Sequence, residues 1–249
     1  MEKLMRKIFT RRLVLLTIGF VLGANLAVSA KIFMVTAKND SIGIDSLRGA
    51  IIAANRYGGE NTIVLDGSPW RWPARPNSER VFYLTIAGVD ETNSRTGDLD
   101  ITRGKLTIIG TVPNIIIDAT GLGDRVFQVF PNAQLTLKNL AIRGGTAPVV
   151  YGNFANGESG GAIYNAGSLI LEKCIITNNA SGGGSYVMGN GGGTGGGDGG
   201  GIYSKGNLTA FDCVIAQNLS GDGFDGADGG TGGGIRNDGI SLLSGLKLQ

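Results

Sequence analysis

Residues 160 to 179 read GGAIYNAGSLILEKCIITNN, residues 199 to 218 GGGIYSKGNLTAFDCVIAQN, and residues 232 to 249 GGGIRNDGISLLSGLKLQ. Ile163, Ile202 and Ile235 hold the same place in the three copies, 39 and 33 residues apart. Repeats on this scale mark stacked architectures. A weaker copy, AQLTLKNLAIRGG at 133 to 145, sets Leu135, Leu140 and Ile142 against Leu169, Cys174 and Ile176. Within each copy the apolar residues alternate over short runs, as in Leu169 and Leu171, a strand period rather than a helical one. Glycine, asparagine and aspartate punctuate the runs at corners where positive φ is tolerated. One such coil cannot bury its own apolar side. Stacked at the ~4.8 Å strand spacing, coils set Ile on Ile, Leu on Leu and Asn179 on Asn218, which builds a parallel β-solenoid with a continuous core.

Three strands and their corners occupy about 23 residues, fewer than the repeat spacing, and the excess falls at one corner. SGGGSYVMGNGGGTGGGD at 181 to 198 and SGDGFDGADGGTGG at 220 to 233 interrupt successive coils at the same place. They read as loops on one face, where solenoid insertions either form a binding surface or are tolerated at little closure cost. These segments account for much of a glycine content of 44 in 249 residues, about 18%. No G-X-Y period runs through it, and 42% hydrophobic residues supply a core, so neither collagen nor a disordered polymer fits. The chain has no histidine, which excludes imidazole-based triads, His-ligated metals and His pH switches.

Residues 1 to 30 carry Lys3, Arg6, Lys7, Arg11 and Arg12, then an apolar run, then Val28-Ser29-Ala30. This reads as a secretory signal peptide cleaved after Ala30; the alternative, an uncleaved anchor, has an apolar run short of the ~20 residues a span needs. Removing five basic residues and Glu2 leaves 17 basic and 19 acidic side chains, a net −2. A nucleic-acid partner, which calls for a basic footprint, is therefore not expected. Residues 31 to 102 follow as a cap with the first strands, and 103 to 249 as coils. Residues 32 to 36 read as a strand. In 45 to 55, Leu47, Ala50, Ile51 and Ala54 form a helical stripe with Asp45 as N-cap, a helix suited to cover the first coil.

DSLRGAIIAAN at 45 to 55, TGDLDI at 96 to 101, LTIIG at 106 to 110, IIIDATGLGDRVFQV at 115 to 129 and LTLKNLAIRGG at 135 to 145 resemble bacterial CSLREA-domain proteins. GGAI at 160 to 163 and the IxxN tetrapeptides at 176 to 179 and 215 to 218 are similar to polymorphic outer-membrane protein repeats. Asp45 and Gly49 stand where the first motif has Cys and Glu, and Ile where the second has Phe. The resemblance covers almost the whole mature chain. It implies an all-β, right-handed parallel β-helix with an N-terminal capping helix, secreted or on the cell surface or outer membrane, adhesin-like, without agreed catalytic residues. A glycan or a surface protein is the implied partner. Such proteins usually continue into further coils and an anchor, so the chain reads as truncated mid-solenoid, with membrane association left to the missing downstream region and self-association expected at the open last coil. The competing expectation is a secreted polysaccharide lyase or glycoside hydrolase of the pectin-lyase-like fold, which needs a cleft of converging carboxylates.

Three constellations carry candidate chemistry. DGSPWRWPARP at 66 to 76 gathers Trp70, Arg71, Trp72 and Arg75, a composition suited to stacking on sugars or to covering core. Asp222, Asp225 and Asp228, three apart in a glycine-rich loop with Asp198 in the loop before, offer oxygens to a calcium ion, yet lack EF-hand spacing and read more readily as solvated loop acids. Cys174 and Cys213 are equivalent in adjacent coils; stacking at the strand spacing favours free core thiols over a disulfide, which wants Cβ atoms nearer ~3.8 Å. No cofactor other than calcium is indicated. Of these groups the Trp70 to Arg75 segment and the glycine loops are the expected ligand contacts, in preference to the strand faces.

Overall fold

Equal positions in successive coils pair, and the whole architecture follows from that. The computed structural model describes residues 30–66, 80–89, 91–151, 155–187 and 192–249. The chain begins with β1 (Lys31–Val35), α1 (Leu47–Tyr57), β2 (Glu60–Leu65) and β3 (Arg80–Tyr83). It continues through β4 (Leu99–Ile101), β5 (Gly104–Gly110), β6 (Ile115–Asp118), β7 (Phe127–Val129), β8 (Ala133–Lys138) and β9 (Leu140–Arg143). The repeats supply β10 (Ile163–Asn165), β11 (Ser168–Glu172), β12 (Ile175–Thr177), β15 (Ile202–Ser204), β16 (Asn207–Phe211), β17 (Val214–Ala216), β18 (Ile235–Asn237), β19 (Ile240–Ser244) and β20 (Lys247–Leu248). A small antiparallel pair, β13 (Tyr186–Val187) with β14 (Gly192–Gly193), lies inside the first long insertion.

These strands form three parallel sheets, and from β3 onward the chain visits them in turn. The first sheet runs β1-β2-β5-β8-β11-β16-β19, the second β4-β7-β10-β15-β18, the third β3-β6-β9-β12-β17-β20. Register is that of the repeats: Ile163 pairs with Ile202 and Ile202 with Ile235. Inside the first sheet Ile63, Ile108, Leu137, Leu171 and Ala210 form one column, each fully buried. Burying a side chain of this size contributes roughly 1.5–3 kcal/mol, and a one-residue slip would turn the whole column outward. Asn179 stacks on Asn218 as the repeats require, its Nδ2 donating to Asn218 Oδ1 at 2.9 Å. Cys174 and Cys213 are buried free thiols in one column.

Helix α1 buries Leu47, Ala50, Ile51 and Ala54, the anticipated stripe, and packs on β1, β2 and β4. Its N-cap is Ser46 rather than Asp45. Ser46 has extended backbone and its Oγ accepts from Gly49 N–H, so the cap and the first helical turn sit one residue later than the sequence pattern placed them. In the last coil Ile240, Leu242 and Leu248 are exposed, the edge on which the expected self-association rests.

Candidate functional site

On the second sheet the residues between inward ones form an outward column. Asp100 pairs with Gln128, Gln128 with Tyr164, Tyr164 with Tyr203 and Tyr203 with Arg236. The rings of Tyr164 and Tyr203 lie 5.5 Å apart, tilted by 48°. Cations interleave with them. Arg125 sits 5.3 Å from the Tyr164 ring, and Lys205 5.9 and 5.5 Å from the Tyr164 and Tyr203 rings, each contact worth about 0.5–1 kcal/mol when exposed. The Tyr203 hydroxyl donates to Asp238 Oδ2 at 2.9 Å, and burial first, then that carboxylate, pushes its pKa up to about 12. Asp238 is held in turn by Arg236 Nε at 2.7 Å. Tyr203 is thus locked into the ladder, while half-buried Tyr164 and exposed Lys205 remain open to solvent.

The ladder leads at its N-terminal end into a cavity of about 270 Å³ lined by Glu91, Asp98, Asp124, Arg125, Gln128 and Glu158, with Thr92 and Pro148. The residues come from two coils, Asp124, Arg125 and Gln128 from one and Pro148 and Glu158 from the next, and from the segment before β4. Arg125 donates to Gln128 Oε1 at 2.6 Å and pairs with Glu158; its buried Nε has no hydrogen-bond partner among the described residues. Asp124 accepts from the backbone N–H of Asp98 at 3.2 Å and of Arg125 at 2.8 Å. Beside the cavity Asp100 accepts from Ser94 N–H through Oδ2, whereas its buried Oδ1 has no partner. Burial, reinforced by Asp100 and Asp124, pushes Asp98 up to about 8. Burial likewise pushes Asp100 up to about 7, against the Ser94 hydrogen bond. The site therefore sets two carboxyls raised by burial, Asp98 and Asp100, beside the further acidic side chains of Glu91, Asp124 and Glu158.

These shifts have a sign in stability. An aspartate in the unfolded chain titrates near 3.9, so between about pH 4 and pH 8 the folded chain binds more protons, and stability falls as pH rises through that window. We expect the Asp98→Asn/Asp100→Asn double variant to lose this dependence. Thermal unfolding of the wild type should shift down by several degrees from pH 5 to pH 8 relative to the variant, at ~2–4 °C per kcal/mol. Parallel Tm profiles for the two proteins would contradict it.

Beside this face the glycine-rich insertions form an ordered layer. Gly182 N–H donates to Glu158 O at 2.7 Å, Gly197 to Gly182 O at 2.8 Å, Gly221 to Gly197 O at 3.0 Å and Gly230 to Gly221 O at 2.8 Å. Neighbouring segments approach so closely that a Cβ on Gly182, Gly196, Gly221 or Gly230 would stand 1.8–2.0 Å from a backbone carbonyl oxygen. The described parts of the insertions, read from sequence as loops projecting from one face, are thus interlocked where these glycines meet.

The predicted site residues fare differently. Trp70, Arg71, Trp72 and Arg75 lie outside the described residues, as does most of the signal segment. Asp222, Asp225 and Asp228 are exposed, and their loop uses backbone rather than carboxylates: Asp222 O accepts from Gly184 N–H and Asp228 O from Gly196 N–H. Among the described residues no group of three or more His, Cys, Asp or Glu side chains is placed to hold a metal ion. The Asp100 to Arg236 column is a grouping that the sequence reading did not single out. Its signal was present in the repeats, where Tyr164, Tyr203 and Arg236 each follow the stacked isoleucine. Among the described residues no helix is long and apolar enough to cross a membrane. Comparison with protein-family models, with curated proteins and with solved structures finds no match.

Proposed function

We propose that the protein is an exported, right-handed parallel β-helix module, adhesin-like, that binds glycan along the outer face of its second sheet. The handedness rests on the parallel connections, since a strand that returns in parallel to the same sheet does so right-handedly in almost all cases. The binding reading rests on one observation: a tyrosine and cation ladder running into a carboxylate-lined cavity. Aromatic faces stack on the apolar face of a sugar ring while carboxylates, Gln128 and Arg125 match its hydroxyls, the pairing of apolar surface with a few convergent polar groups that ligand sites use. At about 270 Å³ the cavity is at the small end of such sites, scaled to a single ring-sized group. A glycan array probed with the mature chain tests it. A retained glycan should lose about tenfold in affinity on Tyr164→Ala, equivalent to ~1.4 kcal/mol, with thermal stability kept. Failure to retain any glycan, or equal affinity of the variant, would overturn the assignment.

A second reading, hydrolysis, is favoured by a specific feature. Four acidic residues, Glu91, Asp98, Asp124 and Glu158, line one cavity, and a carboxyl held protonated at neutral pH, as Asp98 is, can serve as general acid to a leaving glycosidic oxygen while an ionised partner activates water. A reducing-end assay on the array panel separates the readings: release of new ends that Asp98→Asn abolishes would make the face catalytic.

A further inference from the structure

The outer face of the third sheet differs in chemistry from that of the second. One of its outward columns reads Val81, Ile116, Ala141, Ile175 and Val214 before it ends on Lys247, apolar over five coils where the second sheet is polar, while the Asp118 to Arg143 ion pair stands in the column beside it. In one coil the chain inserts four residues, Thr111 to Asn114, between Gly110 and Ile115, whereas in the next coil Asn139 alone separates β8 from β9. Along this insertion lies a cavity of about 720 Å³, walled by Val112, Pro113, Ile116, Ala141 and Ile175, with Lys173 at its rim. Its volume and its apolar lining with few polar groups are those of small-molecule sites.

Lys173 stands out on backbone grounds. Successive coils turn this corner through Asn139, Lys173, Asp212 and Gly245, all left-handed with φ of 55°, 53°, 52° and 63°. Asparagine, aspartate and glycine suit that conformation, and Lys173 is the one long side chain among the four corner residues. Lys138 nearby is paired with Glu172 at 2.8 Å. Lys173 makes no ion pair among the described residues, and no acidic side chain lines the cavity. An apolar trough with a cation at its edge, the stacked Asp212 lying one coil further on and outside the cavity lining, complements a molecule that has an apolar body and a single negative head.

We propose that this groove binds a small amphipathic carboxylate, with Lys173 taking the carboxylate and the Ile116, Ala141 and Ile175 column taking the apolar body. The site is separate from the second-sheet face and does not rest on the glycan reading. Calorimetric titration of the full mature chain with decanoate, below the concentration at which it forms micelles, tests it. Saturable one-to-one binding is expected. Lys173→Asn, which keeps a residue suited to the left-handed corner, should weaken binding roughly threefold to fivefold, the ceiling for an exposed ion pair, and bring it to the level of decanol on the wild type. Ile175 is 45% exposed and points outward, so Ile175→Asp should fold normally by circular dichroism and abolish binding. The proposal is overturned if decanoate gives no saturable heat, if decanol binds as tightly as decanoate, or if folded Ile175→Asp binds like the wild type.

Discussion

Gly221→Ala is expected to lower the stability of the chain by about 3 kcal/mol or more, although it adds one methyl group to a loop. A Cβ at Gly221 would stand 1.9 Å from Gly182 O and 2.8 Å from Gly197 N, and a contact this short with backbone cannot be relieved by turning a side chain. Overpacking in a filled interior costs about 1–3 kcal/mol. Here the segments that would have to separate also hydrogen-bond to one another: Gly221 N–H donates to Gly197 O and lies 2.8 Å from Ser181 Oγ, while Gly221 O accepts from Gly230 N–H. Displacing them strands buried backbone groups at roughly 1–3 kcal/mol each. At ~2–4 °C per kcal/mol the midpoint of thermal unfolding should fall by about 6–12 °C. Gly192 supplies the control, because among the described residues nothing lies within 4 Å of its Cβ position. Gly192→Ala should be neutral or slightly stabilising through the unfolded chain. If both variants melted with the wild type, the insertions would be loosely held loops after all.

Legibility in the sequence divided along the range of the interactions. Stacking copies a residue into the same place of each coil, so the isoleucine column, the Asn179 to Asn218 pair and the Cys174 to Cys213 pair could be read from the repeats alone. The helical stripe was legible because its period is local, whereas the shift of the N-cap from Asp45 to Ser46 turned on backbone geometry that both residue types satisfy. The glycine layer was not legible, since it is held by main-chain hydrogen bonds and carries no side-chain period to detect. Tyr164 and Tyr203 stood in plain view one residue after the stacked isoleucines, with Lys205 two residues beyond Tyr203, yet Arg125 reaches the Tyr164 ring from another coil. The carboxylate cavity joins Glu91, Asp98, Asp124 and Glu158 across up to 67 positions, a convergence no spacing announces.

The interaction that fixes one wall of that cavity is a buried ion pair, and its removal is the second large effect expected. Arg48 and Asp40 have fully buried side chains and meet in a bidentate contact, Nε to Oδ1 at 2.7 Å and Nη2 to Oδ2 at 3.0 Å. The remaining donors of Arg48 reach Ser94 O at 3.0 Å and Gly97 O at 2.8 Å. Asp40 Oδ2 also accepts from the backbone of Thr85 and Ile86 at 2.7 and 2.8 Å. One guanidinium and one carboxylate thus tie the start of α1 to both ends of the 85 to 98 segment, which contributes Glu91, Thr92 and Asp98 to the cavity. Arg48→Met would fill much of the same volume but leave Asp40 as an unpaired buried charge and two carbonyls without their donors. Breaking a buried pair in this way costs about 3–5 kcal/mol. Arg48→Lys keeps the charge but not the planar fork, and should fall between the two. Because the tie is local, the loss should appear first as faster amide exchange across residues 94 to 98, with the Ile163, Ile202 and Ile235 column still protected. Unchanged exchange at 94 to 98 in folded Arg48→Met, together with an unchanged melting temperature, would show that the segment is held by its own turns and not by the ion pair.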